Sequence, residues 1–238
     1  MTRVYGADLS FIHDAGFTGF ARRAAPGLLA SLRRAGIARG RVVDLGCGSG
    51  VWAAALGHAG YDVFGIDQSA SMIALARQRV PRGRFRRAGF ARGAISACDA
   101  ITALGECFNY RLGASDLPLR ALFGRAARAL RPGGVLMFDA LLPASRPAVA
   151  RGWSEGKGWA VLVETRCASP VVLTRRIVTY RRTRKGYRRG EEVHRLRLYP
   201  AATLAAWLAR AGFRVRSARG YGRYRLSRDR IVFIARRA

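Results

Sequence analysis

The chain has 238 residues, half of them apolar, and carries 43 Lys and Arg against 14 Asp and Glu, a formal charge of +29 at pH 7. A chain of this length and apolar content can bury a full core, which excludes a wholly disordered basic tail. No apolar run reaches the ~18 uncharged residues that span a bilayer, and Asp8 stands where a signal peptide needs an apolar centre, so the reading is a cytoplasmic protein with no membrane partner.

Residues 9–35 read as a helical cover, with Leu28, Leu29 and Leu32 at helical spacing and Pro26 suited to a first turn. Val42 and Val43 open a buried strand that runs into the glycine turn Asp44-Leu45-Gly46-Cys47-Gly48-Ser49-Gly50. An Ala-rich helix follows from Trp52 to Ala59, then a short strand from Asp62 to Asp67. Ser69 is placed to cap a helix carrying Met72, Ile73, Leu75 and Ala76. Strands are expected at Phe85–Phe90 and Asp99–Leu104, an amphipathic helix at Leu117–Leu130, and a fifth strand at Val135–Leu141 after the stop Arg131-Pro132-Gly133-Gly134. Strand and helix alternate throughout, which implies a parallel sheet with helices on both faces.

After Pro143 the pattern changes. Residues 159–166, 172–182 and 187–199 read as antiparallel strands, the last two joined by a turn at Lys185-Gly186. Leu204, Trp207, Leu208 and Ala211 mark one face of a helix ended by Gly212, and Val215 and Ile231–Ala235 return the chain to the main sheet. The expected organisation is a helical cover over residues 1–40, a nucleoside-binding core over 41–149, an inserted β-strand lid over 150–199, and a helix and strands completing the core over 200–238. The fold class is α/β, a Rossmann-like and mostly parallel seven-stranded sheet with an antiparallel insert.

The glycine turn carries the chemistry. After a buried strand, glycines let the chain turn sharply and let a ligand lie against the backbone. Asp67 ends the next strand, 17 residues beyond Gly50, where a carboxylate can accept both hydroxyls of a ribose. Val51 stands where the dinucleotide fingerprint needs its third glycine, and no Gly-Lys-Ser/Thr is present for a P-loop. Asp44 would repel a phosphate but attract an ammonium or sulfonium, which favours S-adenosylmethionine over NAD or ATP.

The run from Val42 to Gly50 resembles motif I of the class I S-adenosylmethionine-dependent methyltransferases. Gly65-Ile66-Asp67 is similar to their ribose-binding strand end, and Leu130 to Leu136 to the segment entering their fifth strand. The likeness covers roughly residues 40–141 and resumes over 200–236. It implies seven strands with the last one antiparallel, a glycine turn facing the methionine part of the cofactor, and Asp67 on the ribose. One departure stands out: Arg87-Ala88-Gly89-Phe90-Ala91-Arg92 lacks the acidic residue that many relatives hold near the adenine, and Phe90 is expected to flank the base instead.

The expected cofactor-binding residues are therefore Asp44, Gly46, Cys47, Gly48, Gly50, Asp67, Gln68, Met72, Phe90 and Glu106. Methyl transfer needs positioning and, for many acceptors, removal of a proton, so His13 and His194 are the candidate bases. His194 shares its strand face with Leu196 and Leu198, which also suits a core histidine. Tyr5, Tyr110, Asp139 and Trp153 are expected on the substrate side, with the lid setting substrate choice or serving in dimerisation. Cys47, Cys98, Cys107 and Cys167 form no CxxC pair and read as reduced thiols; no metal site is expected.

The charge itself is less informative. Of the basic residues only Lys157 and Lys185 are lysines, the mark of a GC-rich coding sequence, and residues 151–238 carry +18 against +11 for residues 1–150. The leading expectation is methylation of an O or N atom, less readily C or S, of a small molecule, anionic acceptors included, by a monomer or homodimer. The alternatives are a nucleic-acid methyltransferase using the basic last third, and a cofactor-binding protein that has lost catalysis. Against nucleic acid, the chain lacks the Asn/Asp-Pro-Pro-aromatic tetrad, a Pro-Cys or Thr-Cys nucleophile and an RNA-binding module.

Overall fold

The computed structural model describes residues 4–89, 94–110, 119–144 and 148–238. Its centre is a seven-stranded sheet built from β1 (Arg41–Leu45), β2 (Asp62–Asp67), β3 (Arg84–Arg87), β4 (Cys98–Ala103), β5 (Leu130–Leu141), β10 (Phe213–Ala218) and β13 (Arg230–Arg237). The order is β10-β13-β5-β4-β1-β2-β3. β13 runs antiparallel to both of its neighbours, and the other strands run parallel.

Alternation along each strand feeds two apolar layers. Val42, Ala100, Met137 and Val232 face α2 (Gly19–Arg34), α3 (Val51–His58) and α4 (Ala70–Arg79). Val43, Ile101, Phe138 and Phe233 face α5 (Leu119–Ala129) and α6 (Ala201–Arg210). A sheet buried on both faces explains why its central strands read as unbroken apolar runs. Ser69 caps α4 as expected, its hydroxyl accepting from the Met72 amide at 3.2 Å.

The N-terminal cover is two helices, α1 (Ala7–Gly16) and α2, and Pro26 lies inside α2 rather than in its first turn. The interior proline costs a backbone hydrogen bond; burial of Ala24, Ala25, Leu28 and Leu32 on one face holds the helix regardless. α2 also approaches the short hairpin of β11 (Gly220–Tyr221) and β12 (Tyr224–Arg225), which the sequence pattern did not reveal. A β-carbon at Gly27 would run into the Tyr221 carbonyl. Gly27→Ala is expected to destabilise by about 1–3 kcal/mol, as overpacking does, and thermal unfolding that matches wild type would place the two backbones further apart.

Residues 148–197 form a separate antiparallel meander, β6 (Ala148–Gly156), β7 (Trp159–Ser169), β8 (Val172–Thr183) and β9 (Gly186–Arg197). Three of these four strands match the sequence reading. β6 was missed because it is an exposed edge with no alternation of apolar and polar residues. Leu141, Leu173, Leu196 and Leu198 fix the base of the meander to the end of β5. Leu9 and Ile12 of α1 pack under it against Trp159, Val161 and Ile177. Among the described residues no helix is long and apolar enough to cross a membrane.

Candidate functional site

β1 delivers Asp44 to the C-terminal edge of the sheet, where the chain turns back through Gly46 (φ 71°), Gly48 (φ 53°) and Gly50 (φ 77°). Side chains rarely adopt that left-handed backbone. At Gly50 a β-carbon would also press on Ala76 of α4 at 3.0 Å, whereas at Gly48 it would meet nothing, so the backbone there is open to a ligand. Asp67 stands across the turn: its Oδ2 accepts from the Gly48 amide at 3.0 Å and its Oδ1 from the Ser69 amide at 2.8 Å. Burial pushes the Asp67 carboxyl upward, while the amides of Ser69, Gly48 and Gln68 pull it back.

Asp44 is 2% exposed. The Trp52 indole N–H donates to Thr102 Oγ1 at 3.0 Å, and the Thr102 hydroxyl donates to Asp44 Oδ1 at 2.7 Å. Burial raises the Asp44 carboxyl to about 7, the Thr102 hydrogen bond opposes this, and the nearby Asp67 adds to it. A buried carboxyl this ready to take a proton is suited to a cationic partner.

Above these two carboxylates lies a cavity of about 490 Å³. Asp44, Gly46, Cys47, Gly48, Asp67, Gln68 and Met72 form its floor; Tyr5, His13, Glu106 and Tyr110 reach it from the sides. The inner face of the meander closes it with Val161, Val163, Arg175 and Ile177. The remaining sequence candidates lie elsewhere. Gly50 closes the turn away from the cavity. Trp153 is 69% exposed on the outer face of β6, since its register partner Leu162 points opposite to Val161 and Val163. Phe90 lies outside the described residues.

His194 is buried behind the wall, its ring 5.3 Å from that of Tyr5 and 5.6 Å from that of Tyr110. Its Nε2 is 2.8 Å from Glu192 Oε2. His13 does reach the cavity; burial lowers its imidazole against the pull of Asp14 and Glu106, which favours the uncharged ring. Its Nδ1 is buried with no hydrogen-bond partner.

Asp139 also stands one layer back, as a clamp. It accepts from the Gly105 and Glu106 amides at 2.8 and 2.9 Å, from the Tyr221 hydroxyl at 2.8 Å and from Arg230 at 3.1 Å. The clamp holds Glu106 in left-handed backbone (φ 52°) and aims its carboxylate into the cavity wall, bonded to Arg175 at 2.6 Å and to Arg230. Sequence reasoning missed Arg175, Arg230, Tyr221 and Glu192. Only Arg175 carried a signal, falling in phase with Leu173 and Ile177 on the inward face of β8.

Tyr5 joins three elements. Its backbone is left-handed (φ 56°), and its amide and that of Gly6 donate to Glu192 at 2.7 and 2.8 Å. Its carbonyl accepts from the Ser10 and Ser69 hydroxyls at 2.9 and 2.6 Å, and its phenol oxygen lies 3.3 Å from that of Tyr110. Burial keeps both phenols protonated, with Tyr110 pushed up to about 12.

Among the described residues no cluster of three or more side chains suits a metal ion. The donor set fits a nucleoside-bearing cation instead: a carboxylate held by two backbone amides at the end of β2, a second carboxylate buried at the end of β1, and an open glycine backbone between them. Comparison with known proteins agrees. Residues 17–218 match the methyltransferase domain family. A protein of Geobacillus sp. (strain WCH70) named as a methyltransferase is 27% identical over 197 residues, 74% of each chain. An S-adenosylmethionine-dependent methyltransferase from Clostridium acetobutylicum superposes with a TM-score of 0.81 at 17% identity, covering 96% of this chain and 97% of that one. An amino pentose methyltransferase from Micromonospora echinaspora, with S-adenosylmethionine bound, gives 0.77 at 22% identity over the whole of both chains. With residues 17–218 matched to the domain and the glycine turn standing at the end of β1, the chain belongs to the class I S-adenosylmethionine-dependent methyltransferases.

Proposed function

We propose that the chain methylates an oxygen or nitrogen atom of a small molecule held between the sheet edge and the meander. The observation that carries this reading is the cavity between sheet edge and meander, with Asp44 and Asp67 on its floor and the His13 imidazole among apolar residues at its side. S-adenosylmethionine, when bound, supplies an electrophilic methyl on a cationic sulfur. Asp67 accepts the ribose hydroxyls, Asp44 faces the methionine ammonium, and the backbone of Gly46 to Gly48 lies along the same part. Gln68 and Met72 flank the nucleoside, and Glu106 borders the reacting centre.

On the acceptor side His13 takes the proton, since a neutral ring with an unpartnered nitrogen is the group able to accept one. The Tyr5 and Tyr110 hydroxyls orient the acceptor against Val161, Val163 and Ile177. Arg175 and Arg230 are both bonded to acids, so among the described lining residues no cation is free for an anionic acceptor. This supports a neutral acceptor over the anionic one considered from composition. His194 acts through Glu192 and Tyr5 rather than on substrate. Residues 150–199 serve as the acceptor lid, residues 1–40 as the cover, and residues 41–149 with 200–238 as the cofactor-binding body.

Thermal unfolding tests the cofactor half. S-adenosylhomocysteine at about 100 times its Kd is expected to stabilise by about 2.7 kcal/mol, and NADH by nothing. Asp67→Ala is expected to erase that stabilisation, and an unchanged shift would move the ribose elsewhere. Labelled methyl groups are expected in the small-molecule fraction of a metabolite extract; label recovered in RNA would overturn the acceptor class.

A further inference from the structure

β6 is the edge strand of the meander, and eight of its nine residues are exposed. It pairs with β7 without a break from Ala148 to Gly156. Proteins commonly blunt such an edge with proline, a bulge or lysines, because its open N–H and C=O groups template another strand. β6 has none of these, and among the described residues nothing pairs with its outer side. It also presents Trp153 to solvent.

We propose that a second copy of this chain covers this edge, β6 pairing antiparallel with its counterpart about a twofold axis at Trp153. The backbone fixes which groups are available. Gly156 and Trp159 pair across the two-residue turn Lys157-Gly158, so they exchange both backbone hydrogen bonds. Alternation then directs the N–H and C=O of Glu155, Trp153 and Arg151 to the open edge. The same three side chains share the outer face of the meander, away from the cavity.

Charge selects the register. Centring the axis on Trp153 sets Arg151 of each protomer opposite Glu155 of the other and stacks the two indoles between these pairs. Centring it on Arg151 or on Glu155 would set like charges face to face, which is destabilising. A centre at Ser154 would oppose Arg151 and Lys157, and one at Gly152 leaves Glu155 facing Val149. Arg151 is bonded through Nε to Glu164 on its own chain, leaving its terminal nitrogens to reach across. Glu155 has no ion pair among the described residues. An isologous contact of this kind closes as a dimer and does not propagate.

Sedimentation of the full chain tests this, at about 0.15 M salt so that the repulsion of two highly basic copies is screened beyond ~8 Å. The expected result is a dimer at micromolar concentration. Glu155→Arg and Arg151→Glu are each expected to weaken it at least tenfold, and the two together to restore it, because the swapped charges meet again across the axis. Glu155→Arg is the cleaner arm, since it breaks no bond within the chain. Trp153→Cys sets two thiols across the axis at about 5.5 Å between α-carbons, within disulfide reach. Glutathione disulfide is expected to link them, its own sulfurs leaving as two thiols. A wild-type monomer at 100 µM would overturn the proposal, and so would a dimer indifferent to both single substitutions. A double swap that folds, by its thermal transition, yet fails to associate would overturn the register.

Discussion

Replacing Asp44 by Asn is expected to raise the melting temperature of the ligand-free chain while weakening S-adenosylhomocysteine binding roughly 10- to 100-fold. The first effect follows from the carboxyl being held near 7 by burial, against about 3.9 in an unfolded chain. Between pH 4 and 7 the folded state keeps a proton that the unfolded state has lost, so wild-type stability falls as pH rises through that window. Above pH 7 the whole cost is present, on the order of 4 kcal/mol. Asn still accepts from the Thr102 hydroxyl and carries no charge to desolvate. The gain is therefore absent at pH 4 and largest above pH 7, roughly 8–16 °C for a chain of this size. An Asn variant no more stable than wild type at pH 8 would mean that Asp44 is not the buried anion described.

The binding loss has the opposite pH signature. A charged hydrogen bond contributes about 1.5–3 kcal/mol, and the proposed ammonium contact requires Asp44 ionised. Below pH 7 the carboxyl must first release its proton, so wild-type affinity falls by up to tenfold per pH unit, whereas the Asn variant shows no such slope. Calorimetry at pH 5.5 and 7.5, in two buffers of different ionisation enthalpy, reads the released proton directly. Equal affinity at both pH values would place the cofactor's ammonium on another group. The same residue thus lowers the stability of the empty fold and raises affinity for its ligand, as expected of a site built ahead of its charge partner.

Asp44, the glycine turn and Asp67 were legible in the sequence for a physical reason. They sit within 24 positions of one another on one β-α-β unit, and local geometry alone brings them together. The rest of the wall is assembled by long-range contacts. Arg175 meets Glu106 across 69 positions, Arg230 meets Asp139 across 91, and the Tyr5 amide meets Glu192 across 187. No spacing rule reaches that far, and in a chain so rich in arginine the two that matter look like the others. Glu106 was legible only through its place after the fourth strand; that its backbone is left-handed depends on Asp139, which the sequence set on the substrate side.

Asp139→Ala is expected to be the most destabilising single substitution at the site, by roughly 3–5 kcal/mol, the range for stranding the partners of a buried charge. Four donors converge on this one carboxylate, and each loses its acceptor inside the fold. Two of the donors are the amides that hold Gly105 and Glu106 in their turn, so the loop loses the bonds that offset its left-handed backbone, which costs of order 1–3 kcal/mol. Asp139→Asn keeps one oxygen but turns an NH2 toward donors and falls between Ala and wild type. Tyr221→Phe removes one bond of the four and is expected to cost about 1 kcal/mol. Urea unfolding of the three variants reads that order. With Glu106 released, Arg175 and Arg230 lose their fixed partner, so the Ala variant is also expected to bind S-adenosylhomocysteine more weakly, even at temperatures where it is fully folded. An Ala variant within 1 kcal/mol of wild type would show that Arg175 and Arg230 hold Glu106 without the clamp, making the left-handed turn a consequence of the two guanidinium bonds rather than of Asp139.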